Sequence, residues 1–143
     1  DAFISIHFNA LPNDRKTQGV EVYTFPPRSQ NSSNAWSFGQ KANAEDEASS
    51  NNALDHWNVV LAQAMHRELV SGLKSPDRGK KMMHLKVLRP LRCPGVLVEC
   101  GFLTSDVEAG KIATAEYRQS IADVLAAGVR GYAATLSALG PKS

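Results

Sequence analysis

The sequence has few cysteines, little net charge and no long apolar run, and each shortage excludes a class of protein. Two cysteines, Cys93 and Cys100, cannot build a disulfide framework, and neither belongs to a Cys-x-x-Cys pair that would indicate structural zinc. No apolar run approaches the roughly 20 residues that span a bilayer, so we predict no transmembrane segment. The formal net charge of +2 is too small to indicate nucleic acid as a partner.

Length and composition are those of one ordinary globular domain. The chain has 143 residues, of which 43% are hydrophobic and 21% are charged, which is enough for a single core. The first residues already have the pattern of a strand interior, with no turn, cap or signal peptide before them. We therefore expect a chain that was cut, processed or incompletely recorded at its N-terminus.

The most informative stretch runs from Pro94 to Thr104. Pro94 and Gly95 break the preceding segment, and the short apolar run at 96–98 is typical of a strand buried on both faces. Glu99 follows this run, where an ionised carboxylate is costly unless something pairs it or uses it. Ligands of open α/β sheets bind at the carboxyl ends of strands, so we predict a functional role for Glu99.

The beginning of the chain has a similar design. Residues 3–8 predict an apolar strand near whose end lies His7, a candidate metal ligand or general base. A lone histidine is more often a satisfied core residue, so this prediction depends on Glu99 lying nearby. We expect the fold to bring the ends of these two strands together.

The remaining pattern predicts an α/β fold, with a twisted, mostly parallel or mixed sheet packed between helices in a single domain. Further strands are predicted at 19–25 and within 82–89. A turn is predicted at 75–79, before the second of these strands. In the strand 19–25 the alternation gives one fairly polar face, which carries Glu21. Helices are predicted at 55–71, from about 105 to 113 and at 115–136.

Local signals define the ends of these helices. Asp55 is the predicted N-cap of the first helix, and Gly72 is its predicted C-terminal stop. Ser105 and Glu108 match a capping box before the second helix. Gly128 would let the last helix pack closely against the sheet.

Residues 26–53 differ in composition from the rest of the chain, being rich in Ser, Asn, Gln and Ala. One interpretation is an inserted lid with a helix across 39–49, anchored by Trp36 and Phe38. The other interpretation is a solvated surface loop, which is the commoner structure for such a composition.

Basic residues cluster after the first helix and have two interpretations. They face an anionic substrate, or they are solvated charges at the ends of a strand, and Arg78 is the strongest candidate for the first role. The set comprises Arg78, Lys80, Lys81, Lys86 and Arg89.

Several motifs in one order resemble zinc-dependent N-acetylmuramoyl-L-alanine amidases. The sequences FISIHFNA at 3–10 and GVEVY at 19–23 are similar to the family's FISIHANA and GVEVYY. Arg78-Gly79 with the later Val-Leu-Arg at 87–89 resembles its RG…VLR segment, and residues 94–105 resemble PAVLVEIGFISN. The helix that begins near residue 115 is similar to the family's YQQKIAEAIADGI helix. The resemblance touches most of the chain outside 26–53.

The resemblance implies a hydrolase that cleaves the amide between N-acetylmuramic acid and L-alanine in peptidoglycan. Such an amidase serves cell wall degradation and organisation in the periplasm or outside the cell. His7 matches one of three Zn²⁺ ligands and Glu99 matches the catalytic glutamate, while Asn9 and Arg78 are expected to bind substrate. The other two ligands belong to an N-terminal part with a GHGG-like motif. Residues 1–143 thus resemble the C-terminal two-thirds of a catalytic domain, and we expect this chain alone to be inactive.

Two alternatives to the active amidase stay open on the sequence. One is a catalytically inactive relative that binds the cell wall or regulates a partner, and the other is a different zinc hydrolase acting on peptides. The presence of both His7 and Glu99 favours the amidase. The family also includes members whose inserted helical segment occludes zinc, so the resemblance suggests a protein activator that displaces residues 26–53.

Overall fold

The computed structural model describes residues 1–33 and 49–139. The elements in chain order are β1 (Phe3–Asn9), β2 (Val20–Thr24), a 3-10 helix (Ser50–Leu54), α1 (Asp55–Leu73), β3 (Asp77–Met82), β4 (Gly95–Phe102), α2 (Asp106–Ile112) and α3 (Ala115–Leu139). The strands form one mixed sheet in the order β1-β4-β2-β3. β1 is parallel to β4 and β2 is parallel to β3, whereas β2 and β4 are antiparallel. The predicted α/β class with a mixed sheet is confirmed.

One face of the sheet packs against α1 and α3 and holds the main core. Side chains of a strand alternate between the two faces, so β2 and β4 each contribute every second residue to this layer. Val22, Val98 and Cys100 are fully buried there, together with Leu61 and Met65 of α1. Both cysteines are free, in agreement with the absence of a predicted disulfide framework.

The opposite face of the sheet carries a second, smaller apolar cluster at one end. Tyr23, Phe25 and Leu97 pack there with Leu88, which comes from the turn after β3. The predicted alternation in β2 is confirmed, and Glu21 on the predicted polar face is only 2% exposed. β2 lies between β4 and β3, and the segment after β3 covers part of this face.

The prediction of a turn at 75–79 followed by a strand within 82–89 is wrong. The strand is β3, at Asp77–Met82, and residues 86–90 form turns. β3 is an edge strand, where charged side chains remain at the surface, so it lacks the apolar alternation that marks an inner strand. Leu85 and Leu88 suggested a strand because they are apolar, but they fill the second cluster from a loop.

The predicted caps of α1 are also wrong. Asp55 is the first helical residue and not the N-cap, because a 3-10 helix capped by the side chain of Ser49 leads directly into α1. The helix continues through Gly72 to Leu73, and Lys74 adopts the left-handed conformation, with φ of 50°, that ends it.

Two glycines allow α1 and α3 to approach closely. A Cβ on Gly72 would lie 2.2 Å from Val124 of α3, and a Cβ on Gly128 would lie 2.6 Å from the sulfur of Met65 on α1. Gly128 therefore serves close packing as predicted, but its partner is α1 and not the sheet.

The N-terminus of α2 is anchored to the end of β4 by a buried carboxylate. Ser105 accepts a hydrogen bond from the Glu108 amide, which is half of the predicted capping box. The other half is wrong, because the Glu108 side chain instead accepts from the amides of Gly19 and Phe102 and from the Ser75 hydroxyl. These bonds tie the start of β2 and the loop before β3 to the carboxyl end of β4.

Some predictions fall outside the described part of the chain. Trp36, Phe38 and the helix predicted across 39–49 lie there, apart from Ser49. Among the helices that are described, none combines the length and the apolarity needed to cross a membrane.

Candidate active site

The candidate site lies on the sheet face that points away from α1 and α3. His7 of β1 is in register with Glu99 of β4, and Glu99 is in register with Glu21 of β2. Residues paired across strands point to the same face, so these three side chains form one row. The structure thus brings His7 and Glu99 together.

A glycine bulge lies on each side of this row. On β4, Cys100 and Gly101 occupy the space that β1 fills with one residue, and on β3, Arg78 and Gly79 do the same opposite Glu21. Both glycines have positive φ, 138° at Gly101 and 84° at Gly79, a conformation that glycine adopts without strain. Bulges bend a strand and redirect its side chains, and here they do so beside Glu99 and at Arg78.

Glu99 carries the carboxyl group at the centre of the row, between His7 and Glu21. The side chain is partly buried, and its Oε2 atom is fully buried with no hydrogen-bond partner among the described residues. Burial, and then the charge of Glu21, raise the pKa of Glu99 from 4.5 to about 7. A carboxyl with such a pKa can both accept and donate a proton near neutral pH.

His7 is exposed, and its ring is within hydrogen-bond distance of a serine side chain on the same strand. Its Nε2 lies 2.8 Å from the hydroxyl of Ser5, which points to the same face of β1. The described residues contain no group of three or more His, Cys, Asp or Glu side chains able to hold a metal ion. A catalytic zinc usually has three protein ligands, so the described residues do not complete such a site by themselves.

Glu21 is the residue of the row that the sequence analysis missed. Its buried carboxylate accepts hydrogen bonds from Asn9 Nδ2 at 2.8 Å, Tyr23 OH at 2.9 Å and Arg78 Nε at 3.2 Å, and also from Lys81 Nζ. Burial by itself would raise the pKa of Glu21, but the hydrogen bonds from Lys81 and Tyr23 and the nearby positive charges outweigh it and lower the pKa. Glu21 is recognised as part of the row only from its register with Glu99, and the sequence does not show strand register.

The two predicted substrate-binding residues both contact Glu21. Asn9 donates to Glu21 and accepts from the Ala10 amide at 2.8 Å. Arg78 donates through Nε and lies over the ring of Phe102, 5.0 Å from its centroid.

Of the other basic residues, only Lys81 joins this row. Lys80 is bonded to Gln63 of α1, and Lys86 and Arg89 lie in the turns after β3. Two further histidines lie on α1 away from the row. His66 pairs with Asp77 at 2.7 Å, and the His56 ring lies edge-on to Trp57.

Comparisons with known proteins agree with the resemblance seen in the motifs. The family model for N-acetylmuramoyl-L-alanine amidase matches residues 1–131. The amidase AmiA of Escherichia coli (strain K12) is 28% identical over 150 residues, covering 92% of this chain and 52% of AmiA. The N-acetylmuramoyl-L-alanine amidase from Clostridium difficile 630 has a crystal structure that superimposes with a TM-score of 0.66 at 27% identity, covering 98% of this chain and 60% of that one.

A further solved structure shows likeness of fold alone. The CwlD amidase from Clostridioides difficile, in complex with the GerS lipoprotein, is 23% identical with a TM-score of 0.67, covering 94% of this chain and 55% of that one. This chain thus spans about half the length of AmiA, and a similar share of the solved chains. The family match includes every residue of the site row, and the chain belongs to the N-acetylmuramoyl-L-alanine amidase family.

Proposed function

We propose that the protein hydrolyses the amide bond between N-acetylmuramic acid and L-alanine of the peptidoglycan stem peptide. The observation that carries this proposal is the unpaired, partly buried carboxyl of Glu99 beside His7, in a chain whose residues 1–131 match an amidase family. A protein that only binds the cell wall has no need of a buried carboxylate without a partner, because such a group lowers stability. The inactive alternative is therefore not favoured.

Glu99 is the proposed proton shuttle of this reaction. Amide hydrolysis needs a base that takes a proton from the attacking water and an acid that gives a proton to the departing amine nitrogen. With a pKa of about 7, Glu99 can perform both transfers in sequence at neutral pH. Its Oε2 atom makes no hydrogen bond within the described residues, so no other protein group competes for it there.

Zinc is the proposed cofactor, with His7 as one of its ligands. When bound, the metal would supply Lewis acid chemistry at the water and the amide carbonyl. The described residues do not complete a zinc site, because they hold no cluster of three ligands, so no step is assigned to the metal. The remaining ligands are proposed to come from outside the described residues, with 1–143 forming the C-terminal two-thirds of the catalytic domain.

Asn9 and Arg78 are the proposed substrate-binding residues. Both lie at the row of Glu99, and Arg78 is the only one of the two with a positive charge to offer an anionic group. Peptidoglycan lies outside the cytoplasm, so the proposed location is the periplasm or the extracellular cell wall.

Residues 26–53 are proposed as a regulatory lid, released by a protein activator. The protein partner in this proposal is supported by the CwlD amidase, a protein of the same fold whose structure contains the GerS lipoprotein. The lid is tested by deleting residues 34–48 in the full-length protein. Residues 28–33 are kept, because Ser32 and Ser33 bond to the chain at His84 and Met82. Increased turnover supports a lid, and unchanged turnover at unchanged stability leaves a surface loop.

The catalytic assignment is tested by Glu99→Gln in the full-length protein. Turnover of purified peptidoglycan, measured as newly released L-alanine amino groups, should fall by about a hundredfold or more. The control Glu116→Gln changes an exposed carboxylate on α3 and should keep the wild-type rate. Zinc content and the circular dichroism spectrum should match wild type in both variants. A Glu99→Gln protein with undiminished turnover would rule out the assignment.

A further inference from the structure

Glu21 is the most heavily bonded side chain of the site, yet neither proton transfer nor metal binding uses it. Its carboxylate, 2% exposed, receives hydrogen bonds from Asn9 on β1, from Tyr23 on its own strand, and from Arg78 and Lys81 on β3. One carboxylate therefore joins three strands directly beside Glu99.

Two cationic side chains, Arg78 and Lys81, share the one carboxylate of Glu21. These three side chains together carry a formal charge of +1, before the neighbouring carboxyl group of Glu99 is counted. The Arg78 side chain is 34% exposed and uses only Nε on Glu21, while its terminal nitrogens make no hydrogen bond within the described residues. A guanidinium with its two terminal nitrogens free can bind a carboxylate in a bidentate manner.

The backbone and the neighbouring ring fix the direction of Arg78. Arg78 and Gly79 form the bulge opposite Glu21, and the guanidinium lies 5.0 Å above the centre of the Phe102 ring. A free arginine side chain has about 2 kcal/mol of rotamer entropy to lose on binding. The bond to Glu21 restricts the side chain beforehand, which reduces this cost when a ligand arrives.

We propose that Glu21 is a positioning residue that holds Arg78 and Lys81 beside Glu99 as a preformed binding site for a free carboxylate of the stem peptide. The inference rests on the proposed function, because it assumes that the substrate is a stem peptide joined to N-acetylmuramic acid by the amide that the protein hydrolyses. It specifies the substrate class as stem peptides with a free carboxylate close to that amide. Peptides in which this carboxylate is amidated bind more weakly.

Glu21→Gln separates positioning from a simple charge effect, because the two roles predict opposite results. If Glu21 only neutralises positive charge, its removal raises the net charge of the group from +1 to +2 and strengthens carboxylate binding. If Glu21 positions Arg78 and Lys81, its removal releases both side chains and weakens carboxylate binding. A merely structural role changes stability without changing the preference between the free and the amidated peptide.

The test compares binding of acetyl-L-alanyl-D-glutamate with binding of the same dipeptide amidated at its α-carboxyl group, by calorimetry on the full-length protein. Wild type should prefer the free carboxylate by about tenfold, which corresponds to about 1.4 kcal/mol. Glu21→Gln should reduce this preference to about twofold. Arg78→Lys should also reduce the preference to about twofold, because it preserves the positive charge but removes the two terminal nitrogens of the guanidinium. The Arg78 side chain is partly exposed. Glu116→Gln should keep the wild-type preference.

A spectroscopic measurement accompanies the binding experiment. The Nε–H signal of Arg78 in ¹⁵N spectra should be protected from exchange in wild type and lost in Glu21→Gln, at a temperature where both are folded. An equal or greater preference for the free carboxylates in Glu21→Gln, or no preference in wild type, overturns the inference. Selective binding without any hydrolysis of peptidoglycan would instead count against the proposed function and leave the role of Glu21 intact.

Discussion

Replacing Glu99 by glutamine should make the metal-free protein more stable above pH 7, although it removes the proposed proton shuttle. Glu99 is buried beside the negative charge of Glu21, and the two positive charges nearby, on Arg78 and Lys81, are already bonded to Glu21. His7, in register on the other side, is exposed and bonded to Ser5. Nothing in the described part of the site therefore compensates the ionised Glu99 side chain.

The size of the effect follows from the pKa of Glu99, which is 4.5 in the unfolded chain and about 7 in the fold. Each pKa unit corresponds to about 1.4 kcal/mol, so the ionised side chain destabilises the fold by about 3 kcal/mol at pH 8. Between these two pKa values the folded state binds more protons than the unfolded state, so wild-type stability falls as pH rises from about 4.5 to 7. Glutamine has no charge and removes this loss.

Urea unfolding at pH 5 and pH 8 in the presence of a chelator measures the difference. The free energy of unfolding of Glu99→Gln should exceed that of wild type by about 2.5 kcal/mol more at pH 8 than at pH 5, because part of the loss is already present at pH 5. In thermal unfolding this difference corresponds to roughly 5–10 °C in Tm for a chain of this size. Glu116→Gln should follow the wild-type pH dependence. Identical pH profiles for Glu99→Gln and wild type would refute the assignment of a buried, uncompensated carboxyl.

Other parts of the structure give further predictions. Iodoacetamide at pH 8 should label the partly exposed Cys93 but not Cys100, because burial and the charge of Glu99 raise the pKa of the Cys100 thiol to about 12. Mass spectrometry of the labelled native protein measures this, and rapid labelling of both cysteines would contradict it. Glu108→Gln should lower the free energy of unfolding in urea by about 2–3 kcal/mol, since a glutamine amide cannot accept all three hydrogen bonds that the Glu108 carboxylate accepts. An unchanged urea midpoint of unfolding would contradict the role of these three bonds. The 143-residue chain alone should lose zinc on dialysis, and stoichiometric zinc by elemental analysis would show that the ligands were mislocated.

The elements that were predicted well from sequence are those with strong local signals. β4 was found from an apolar run bounded by Pro94-Gly95 and by Gly101, and α3 from its apolar repeat. Glu99 was identified because a carboxylate after a buried strand is physically unusual, and its registered neighbour His7 followed from the same reasoning. In these cases the information lies within ten or twenty consecutive residues.

The parts that were missed depend on contacts between distant segments. β3 has a charged sequence, and it is a strand because β2 offers it a parallel partner and Gly79 allows a bulge. Glu21 reads as a surface residue in the alternation of β2. It is buried because Arg78 and Lys81 arrive from more than 50 positions further along the chain. No local pattern encodes that pairing.

The bulge at Arg78 and Gly79 also makes the two edges of the sheet unequal. β3 is one outer strand, and the bulge interrupts its ladder while its positive charges repel a second copy of the same edge. Among the described strands β1 is the other outer one, paired with β4 without interruption from Phe3 to His7, and Ile6 on it is 56% exposed. Association through strand pairing is therefore directed to the β1 edge. A charge introduced at Ile6 should accordingly suppress aggregation of this chain more than any change along β3.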